Sequence, residues 1–198
     1  MSGGPSEKPF DPADAAAFHR ARINQLLAVL TPLHLASILN SQLGGALADS
    51  FARAHADEGT VWILDEQAGG LVPVWNSGAQ AGRFVLSFVQ PLSSGIVSMV
   101  FATEQPFLEN QVHRNRQQDP RLDRQLGVKT MALIVVPLFL SHHCCGVISC
   151  VQLIAAGTDN WTDRRFDVAD LACIQTASSE LSRRLEERLT ESGPAERS

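Results

Sequence analysis

The densest run of chemically competent side chains is His142-His143-Cys144-Cys145, with Cys150 close behind. Imidazole and thiolate are metal-competent ligands, so four in a row suggest a zinc or iron site. The spacing argues against it. Successive residues of an extended strand point to opposite faces, so at most two of the four can meet one ion. A site built on His142, His143, Cys144 and Cys145 would need a second subunit, or help from Cys150 or His113. The plainer reading is a polar turn leading into a strand with small buried thiols, and no metal is expected. Together with Cys173 these thiols are expected to be free, since adjacent Cys144 and Cys145 make a poor staple.

A second group is basic and polar. His113, Arg114, Asn115, Arg116 and Arg121 lie close together, and Ser93 and Ser94 stand where a short helix is predicted to begin. Guanidinium groups beside a helix start suit an anion or a carboxylate; a solvated loop is the alternative. Phe84, Phe88 and Phe107 can wall a pocket or simply fill a core. His19, His34 and His55 fall on predicted helices and read as surface or interface residues.

These side chains need elements to hold them. Residues 1–14 carry Gly, Pro and Ser without periodicity and read as a flexible arm. Asp14 is a candidate cap for a helix over 15–31, whose stripe is Phe18, Ile23, Leu26, Leu27 and Leu30. Thr31-Pro32 punctuates it. A second helix follows, with Leu35, Ile38, Leu39, Leu43, Ala46, Leu47 and Phe51 at steps of three and four. Gly44 and Gly45 inside it each cost about 1 kcal/mol relative to alanine, which close packing of another element would explain.

Extended segments come next. Thr60–Asp65 and Leu71–Trp75 form a predicted hairpin around Gly69-Gly70. Phe84–Val89 reads as a third strand. A short helix is expected from Gly95 toward Thr103, a short strand over Phe107–Val112 and a helical turn over Pro120–Leu126. Thr130–Leu140 and Gly146–Ile154 are two long apolar strands joined by Ser141–Cys145. A last helix is expected to start at Trp161-Thr162-Asp163, with Thr162 as cap and Leu171, Ile174, Ser178, Leu181, Leu185 and Leu189 as its stripe. Residues 192–198 read as a tail. Strands without regular βαβ alternation imply the α+β class, an antiparallel sheet with helices segregated on its faces.

Composition narrows the function classes. The chain has 198 residues, 44% hydrophobic and 19% charged, which suits one ordinary domain with short extensions. A net charge of −5 gives no general attraction to phosphate backbones, so nucleic acid is not an expected partner. The longest apolar run, Met131–Leu140, is about half a membrane span, so no membrane is expected either. No secretory signal is visible, and a cytoplasmic location is expected. A sensor module of this length would leave no room for a catalytic output domain.

Four segments in this order resemble the GAF family of sensory domains over about Pro32 to Leu189. Glu58-Gly59-Thr60-Val61-Trp62-Ile63-Leu64-Asp65 is similar to the family's first strand. Pro91-Leu92-Ser93-Ser94-Gly95-Ile96-Val97-Ser98 is similar to its loop and Gly-Ile helix start. Asp119-Pro120-Arg121-Leu122, then Gly127-Val128-Lys129-Thr130, resembles its Asp-Pro-Arg-Phe helix and the entry to the next strand. Val135-Val136-Pro137-Leu138, then Gly146-Val147-Ile148, resembles its Val-Pro-Leu and Gly-Val-Ile strand pair. The resemblance implies a twisted antiparallel sheet of about six strands. The opening and closing helices lie on one face and a pocket under loops on the other, with the GAF-like domain spanning 32–191.

It also implies sensing or relay, with ligands that differ widely between members. The candidate pocket is Phe84, Phe88, Ser94, Gly95, Ile96, His113, Asn115, Asp119, Arg121 and Thr130. Cyclic-nucleotide binders carry Asn-Lys after the last strand; here Ala155-Ala156 stand there. Bilin attachment needs a thiol near the pocket helices, and no cysteine lies between Met1 and Leu140. The family's free methionine sulfoxide reductases place working cysteines in the region of Arg83 to Thr130, which has none here. The chain is therefore expected not to be an enzyme, and its cofactor, if any, is not named by the sequence. The closing helix carries Arg183, Arg184, Glu186, Glu187 and Arg188 beside its stripe, the mixed charge of a coiled-coil flank. A homodimer through the helices, signalling to a separate effector protein, is expected; a ligand-free docking module is the alternative.

Overall fold

The computed structural model describes residues 31–158 and 164–191. The predicted helix over 15–31, its cap Asp14, His19, and the Trp161-Thr162-Asp163 start signal lie outside the described residues. Six strands form one antiparallel sheet: β1 Glu58–Asp65, β2 Gly70–Asn76, β3 Gln90–Pro91, β4 Phe107–Glu109, β5 Val128–Leu140 and β6 His143–Ala155. Their order is β3-β2-β1-β6-β5-β4. Among the described residues five α-helices accompany them: α1 Pro32–Ile38, α2 Gly44–Arg53, α3 Ile96–Thr103, α4 Arg121–Leu126 and α5 Val168–Glu191. This is the α+β arrangement expected.

A π-helical segment, Leu39–Leu43, joins α1 to α2. The buried stripe Leu35, Leu39, Leu43, Leu47, Phe51 advances by four residues each time. At about 3.6 residues per turn such a stripe drifts round a regular helix, and one wider turn takes up the excess. Gly44 is needed here. A Cβ on it would sit 2.7 Å from the Trp75 indole nitrogen and 2.8 Å from the Leu39 carbonyl. Gly45 faces open space, so close packing explains the first glycine and not the second.

The sheet's two faces are set by one-residue irregularities. Val61 pairs with Trp75 and Trp62 with Pro73, so Val74 is an extra residue in β2. Such a bulge reverses the alternation. It sends Trp75 to the helix side, where its ring lies 6.2 Å from that of Phe51. In β5, Thr130 pairs with Leu153 and Ala132 with Gln152, leaving Met131 extra. Thr130 and Leu133 therefore share a face although they are three positions apart in the sequence. On one face α1, α2 and α5 bury Leu35, Leu39, Phe51, Ile174, Leu181 and Leu185. Each such side chain contributes about 1.5–3 kcal/mol. The other face is covered by α3, α4 and the segment before β3.

Four expectations about elements change. Phe84–Val89 is not a strand. Residues Ala81–Arg83 form a 3-10 turn, and Phe88 N–H donates to the Phe84 carbonyl at 2.9 Å. Phe84 and Phe88 are one helical step apart, which lets both rings reach the same core while local turns satisfy the backbone. An all-apolar run cannot distinguish that period from a strand's. The Phe107–Val112 strand stops at Glu109, and Val112–Arg114 is a 3-10 turn. The hairpin turn between β5 and β6 shrinks to Ser141-His142, both with positive φ (48° and 73°). The last helix begins at Val168, later than expected, and is capped by Asp167. Asp167 Oδ1 accepts from Ala169 N–H (2.7 Å) and Asp170 N–H (3.0 Å), and Asp170 Oδ2 accepts from Asp167 N–H at 2.9 Å. That reciprocal pair is a capping box.

Candidate functional site

Alternation along β1 places Glu58, Thr60 and Trp62 on the face opposite the terminal helices. Ser149 and Val151 of β6 and Thr130 and Leu133 of β5 share that face. Together they floor a cavity of about 90 Å³. Its roof is Phe84, Gln90, the start of α3 (Gly95, Ile96, Val97), Val112, Gln118, Asp119 and three residues of α4 (Leu122, Asp123, Leu126).

The roof is tied down by two carboxylates. Arg121 donates to Asp119 from Nη2 (2.8 Å), Nε (3.0 Å) and its backbone N–H (3.1 Å). Gln90 Nε2 donates to Asp119 Oδ2 at 3.1 Å and to the Ser94 carbonyl at 2.7 Å. The hydrogen bonds from Arg121 outweigh burial and hold the Asp119 carboxyl down at about 2. Gly95, at φ 90°, is what lets α3 start here: a Cβ would lie 2.6 Å from Gln90 Nε2. Asp123 joins α4 to β5. It accepts from Thr130 N–H (2.9 Å), Thr130 Oγ1 (2.8 Å) and Gln118 Nε2 (3.0 Å).

The floor carries polar groups of its own. Trp62 Nε1 donates to Ser149 Oγ at 2.9 Å. Asn76 Nδ2 donates to Thr60 Oγ1 at 3.0 Å and to Glu58 Oε1 at 3.5 Å. Burial pushes the Glu58 carboxyl above its ordinary value; the Asn76 bond offsets part of that and Asp57 adds to it.

Five of the ten residues predicted for the pocket line this cavity: Phe84, Gly95, Ile96, Asp119 and Thr130. Phe88 is buried beside it, edge-on to Trp62 at 6.2 Å between centroids. Ser94 is exposed, its hydroxyl 3.3 Å from Asp119. Asn115 turns to Glu109 at 3.1 Å instead. Arg121 lies over the outer face of Phe88, its guanidinium carbon 5.3 Å from the ring centroid. His113 is exposed; desolvation and the charges of Lys129 and Arg114 lower its pKa. The predicted basic cluster therefore does not converge on the cavity. His113, Arg114 and Arg116 are exposed, Arg121 is paired with Asp119, and the Asn115 amide is bonded to Glu109. What sequence reasoning missed was Glu58, Thr60, Ser149 and Asp123. The signal for the first two was present, as Glu58-x-Thr60-x-Trp62 alternation in the strand.

The His142–Cys145 run divides between surface and core. His142 and His143 are exposed, Cys144 is half-buried and Cys145 buried. Cys145 Sγ contacts the Leu138 carbonyl at 3.4 Å and Cys144 Sγ that of Gly146 at 3.3 Å. Among the described residues no group of three or more His, Cys, Asp or Glu side chains is placed to hold a metal ion. Burial pushes the Cys145 thiol up to about 12, and raises Cys144 and Cys150 as well.

No curated protein matches the chain. Solved structures do. The GAF domain of a phosphoenolpyruvate-protein phosphotransferase from Coxiella burnetii aligns with TM-score 0.57 and 14% identity, over 90% of this chain and 99% of that one. The corresponding domain from Acinetobacter gives 0.58 and 14%, over 94% and 100%. A type II free methionine-R-sulfoxide reductase from Thermoplasma acidophilum gives 0.56 and 18%, over 77% and 96%. At these identities the likeness shows the fold alone. The sequence itself matches the GAF domain model over residues 43–185, which spans all six strands and both roof helices. That match covers more than half of the chain and agrees with the fold, so the chain belongs to the GAF domain family, whose members are sensory and regulatory domains.

Proposed function

We propose that this GAF domain is a sensory module: a small molecule occupies the cavity between the sheet and the α3–α4 roof, and the helical face relays its presence to a separate protein. The observation that carries this reading is the polar floor. Evolution of a purely structural core favours apolar filling, whereas Glu58, Thr60, Thr130 and Ser149 bring polar atoms to a space left open. The relay has a short path. Ser149 faces the cavity, and its neighbour Cys150 in β6 lies close enough to Asp170 and Cys173 of α5 to feel their charges. No helix among the described residues is long and apolar enough to cross a membrane.

The ligand is small. About 90 Å³ is well below the roughly 150 Å³ that takes a benzene ring, and a nucleotide does not fit. Three carboxylates in the walls also disfavour phosphate. Thiol chemistry is disfavoured too. No cysteine lines the cavity, and the raised Cys144, Cys145 and Cys150 thiols stay protonated near neutral pH. A thermal-shift screen of small metabolites tests the reading; a broad panel without a hit would favour the ligand-free docking module.

The relay surface is the helical face, where two copies meet in a homodimer. A groove of about 500 Å³ runs between α2 and α5, lined by Leu43, Ala46, Leu47, Thr176, Ala177 and Leu181. Asp49, Arg53, Glu180 and Arg184 flank it with both signs of charge, as a self-complementary surface requires. Ala46 is exposed there. Ala46→Glu is expected to leave the fold intact and shift light scattering from dimer to monomer. A wild-type chain that is already monomeric at micromolar concentration would remove the dimer from the proposal.

A further inference from the structure

We infer that the cavity is built for a small cationic amine that also carries a hydrogen-bond acceptor, and that it rejects anions. This rests on the ligand-binding reading above and adds the ligand's chemical class.

Two buried hydroxyls carry the acceptor half. An indole nitrogen only donates, so Ser149 Oγ must accept from Trp62 Nε1. The Ser149 hydroxyl hydrogen is then left over: among the described residues Ser149 Oγ has the Trp62 bond and donates none. Thr60 is in the same position. Gly78 N–H donates to Asn76 Oδ1 at 2.7 Å, which fixes the amide so that Nδ2 faces Thr60 Oγ1. Thr60 Oγ1 therefore accepts, and it too donates no hydrogen bond among the described residues. Thr60 and Ser149 pair directly across β1 and β6, and are 7% and 4% exposed. Both line the cavity. Buried hydroxyls rarely leave a donor unused, so two adjacent ones point to an acceptor supplied from the cavity.

Glu58 carries the cationic half. It stands one strand step along the same face from Thr60. Its one hydrogen bond from another side chain, from Asn76, is long at 3.5 Å, and burial disfavours its charge. An ammonium group would repair both. Asp119 and Asp123 also line the cavity but are already engaged, by Arg121 and Gln90 and by Thr130 and Gln118. No Lys, Arg or His lines it. An anion would meet Glu58 and Asp123 with no counter-charge in the wall, Asp119 being paired with Arg121, whereas a cation gains from both and from the Trp62 and Phe84 rings.

The test uses size-matched probes on the full chain: glycinamide (cationic), glycolamide (neutral) and glycolate (anionic), followed by a panel of comparably small compounds in the same three charge classes. The readout is the Trp62 indole N–H resonance, which reports directly on Ser149. Amines are expected to move it saturably, at least about tenfold more tightly than their neutral counterparts, as a charged hydrogen bond provides. Glu58→Gln should erase that preference while the protein stays folded by thermal melt, and Ser149→Ala should weaken amine and neutral probes alike. Equal or tighter binding by the neutral or anionic class, or a preference that survives Glu58→Gln, overturns the ligand class and leaves the sensor reading standing. No shift from any class at millimolar concentration overturns the sensor reading and this inference with it.

Discussion

The two faces of the sheet bury side chains of similar size and treat polar atoms differently. On the helix side most polar groups are satisfied within the protein. Ser178 Oγ donates to the Pro137 carbonyl at 2.9 Å and Ser50 Oγ to that of Ala46 at 2.9 Å, with Gln152 Oε1 unpaired among the described residues. On the cavity side, Ser149 and Thr60 accept from neighbours and keep their own hydrogens unused, and Glu58 is held in a poorly solvated wall. One face is organised for stability and the other tolerates cost for contact with something else. Ile148 and Ser149 are the sharpest comparison, since they are adjacent, fully buried and on opposite faces. Ile148→Ala is expected to cost about 2–5 kcal/mol, transfer energy plus a cavity. Ser149→Ala is expected to cost about 1–2 kcal/mol, chiefly the lost acceptor for the Trp62 indole. Urea denaturation of both variants checks this. Equal losses would mean the two faces are structurally alike.

The same contrast explains what could be read from the sequence. The long strands β5 and β6 and the hairpin of β1 and β2 were legible because apolar and β-branched runs ended in Gly-rich or polar turns. The helix stripe from Leu35 to Phe51 was legible from its spacing. Misreadings arose where one pattern serves two geometries. Phe84 and Phe88 sit in a run that reads as a strand, and their four-residue spacing was the clue to a turn. The bulges at Val74 and Met131 have no local signature, yet they decide which face Trp75 and Thr130 occupy. Asp167 caps α5 only because Asp170 answers it, a pair that stood unused beside the more familiar Thr162. In the site, attention went to Arg and His as chemistry-bearing residues. Those side chains are long and solvated, and the structure spends Arg121 on Asp119. The groups that reach the cavity are short ones on strands, Thr60, Ser149 and Glu58, whose direction follows from alternation once the register is known.

The roof is the next place to test the comparison, since it must be firm enough to enclose a ligand. Asp119→Ala removes the acceptor of Arg121 and leaves Gln90, itself 5% exposed, short of a partner. A loss of about 1–3 kcal/mol is expected. The pH dependence has a fixed sign. The Asp119 carboxyl is depressed from 3.8 to about 2, so its contribution is complete above pH 3.8 and is lost as pH falls toward 2. The stability difference between wild type and Asp119→Ala should therefore close in acid. A difference that stays constant down to pH 2 would mean the side chain acts by packing and not by its charge.

The smallest expected effect has the opposite sign. The Glu58 carboxyl is raised above its ordinary 4.5, first by burial. The folded chain thus holds that proton more tightly than the unfolded chain. As pH rises past 4.5 the unfolded state ionises first, and stability falls through the interval up to the folded value. Glu58→Gln removes the ionisation while keeping an oxygen for Asn76. At pH 7 it is expected to stabilise by less than about 1 kcal/mol, a rise of about 2–3 °C in Tm for a domain of this size. The gain should disappear as pH falls below 4.5. A variant that gains stability by losing a carboxylate is what a binding face predicts and a structural face does not. If Glu58→Gln instead melts earlier than wild type at pH 7, the carboxylate is a structural partner of Asn76, and the cavity face loses its distinction from the helix face at the position where that distinction is clearest.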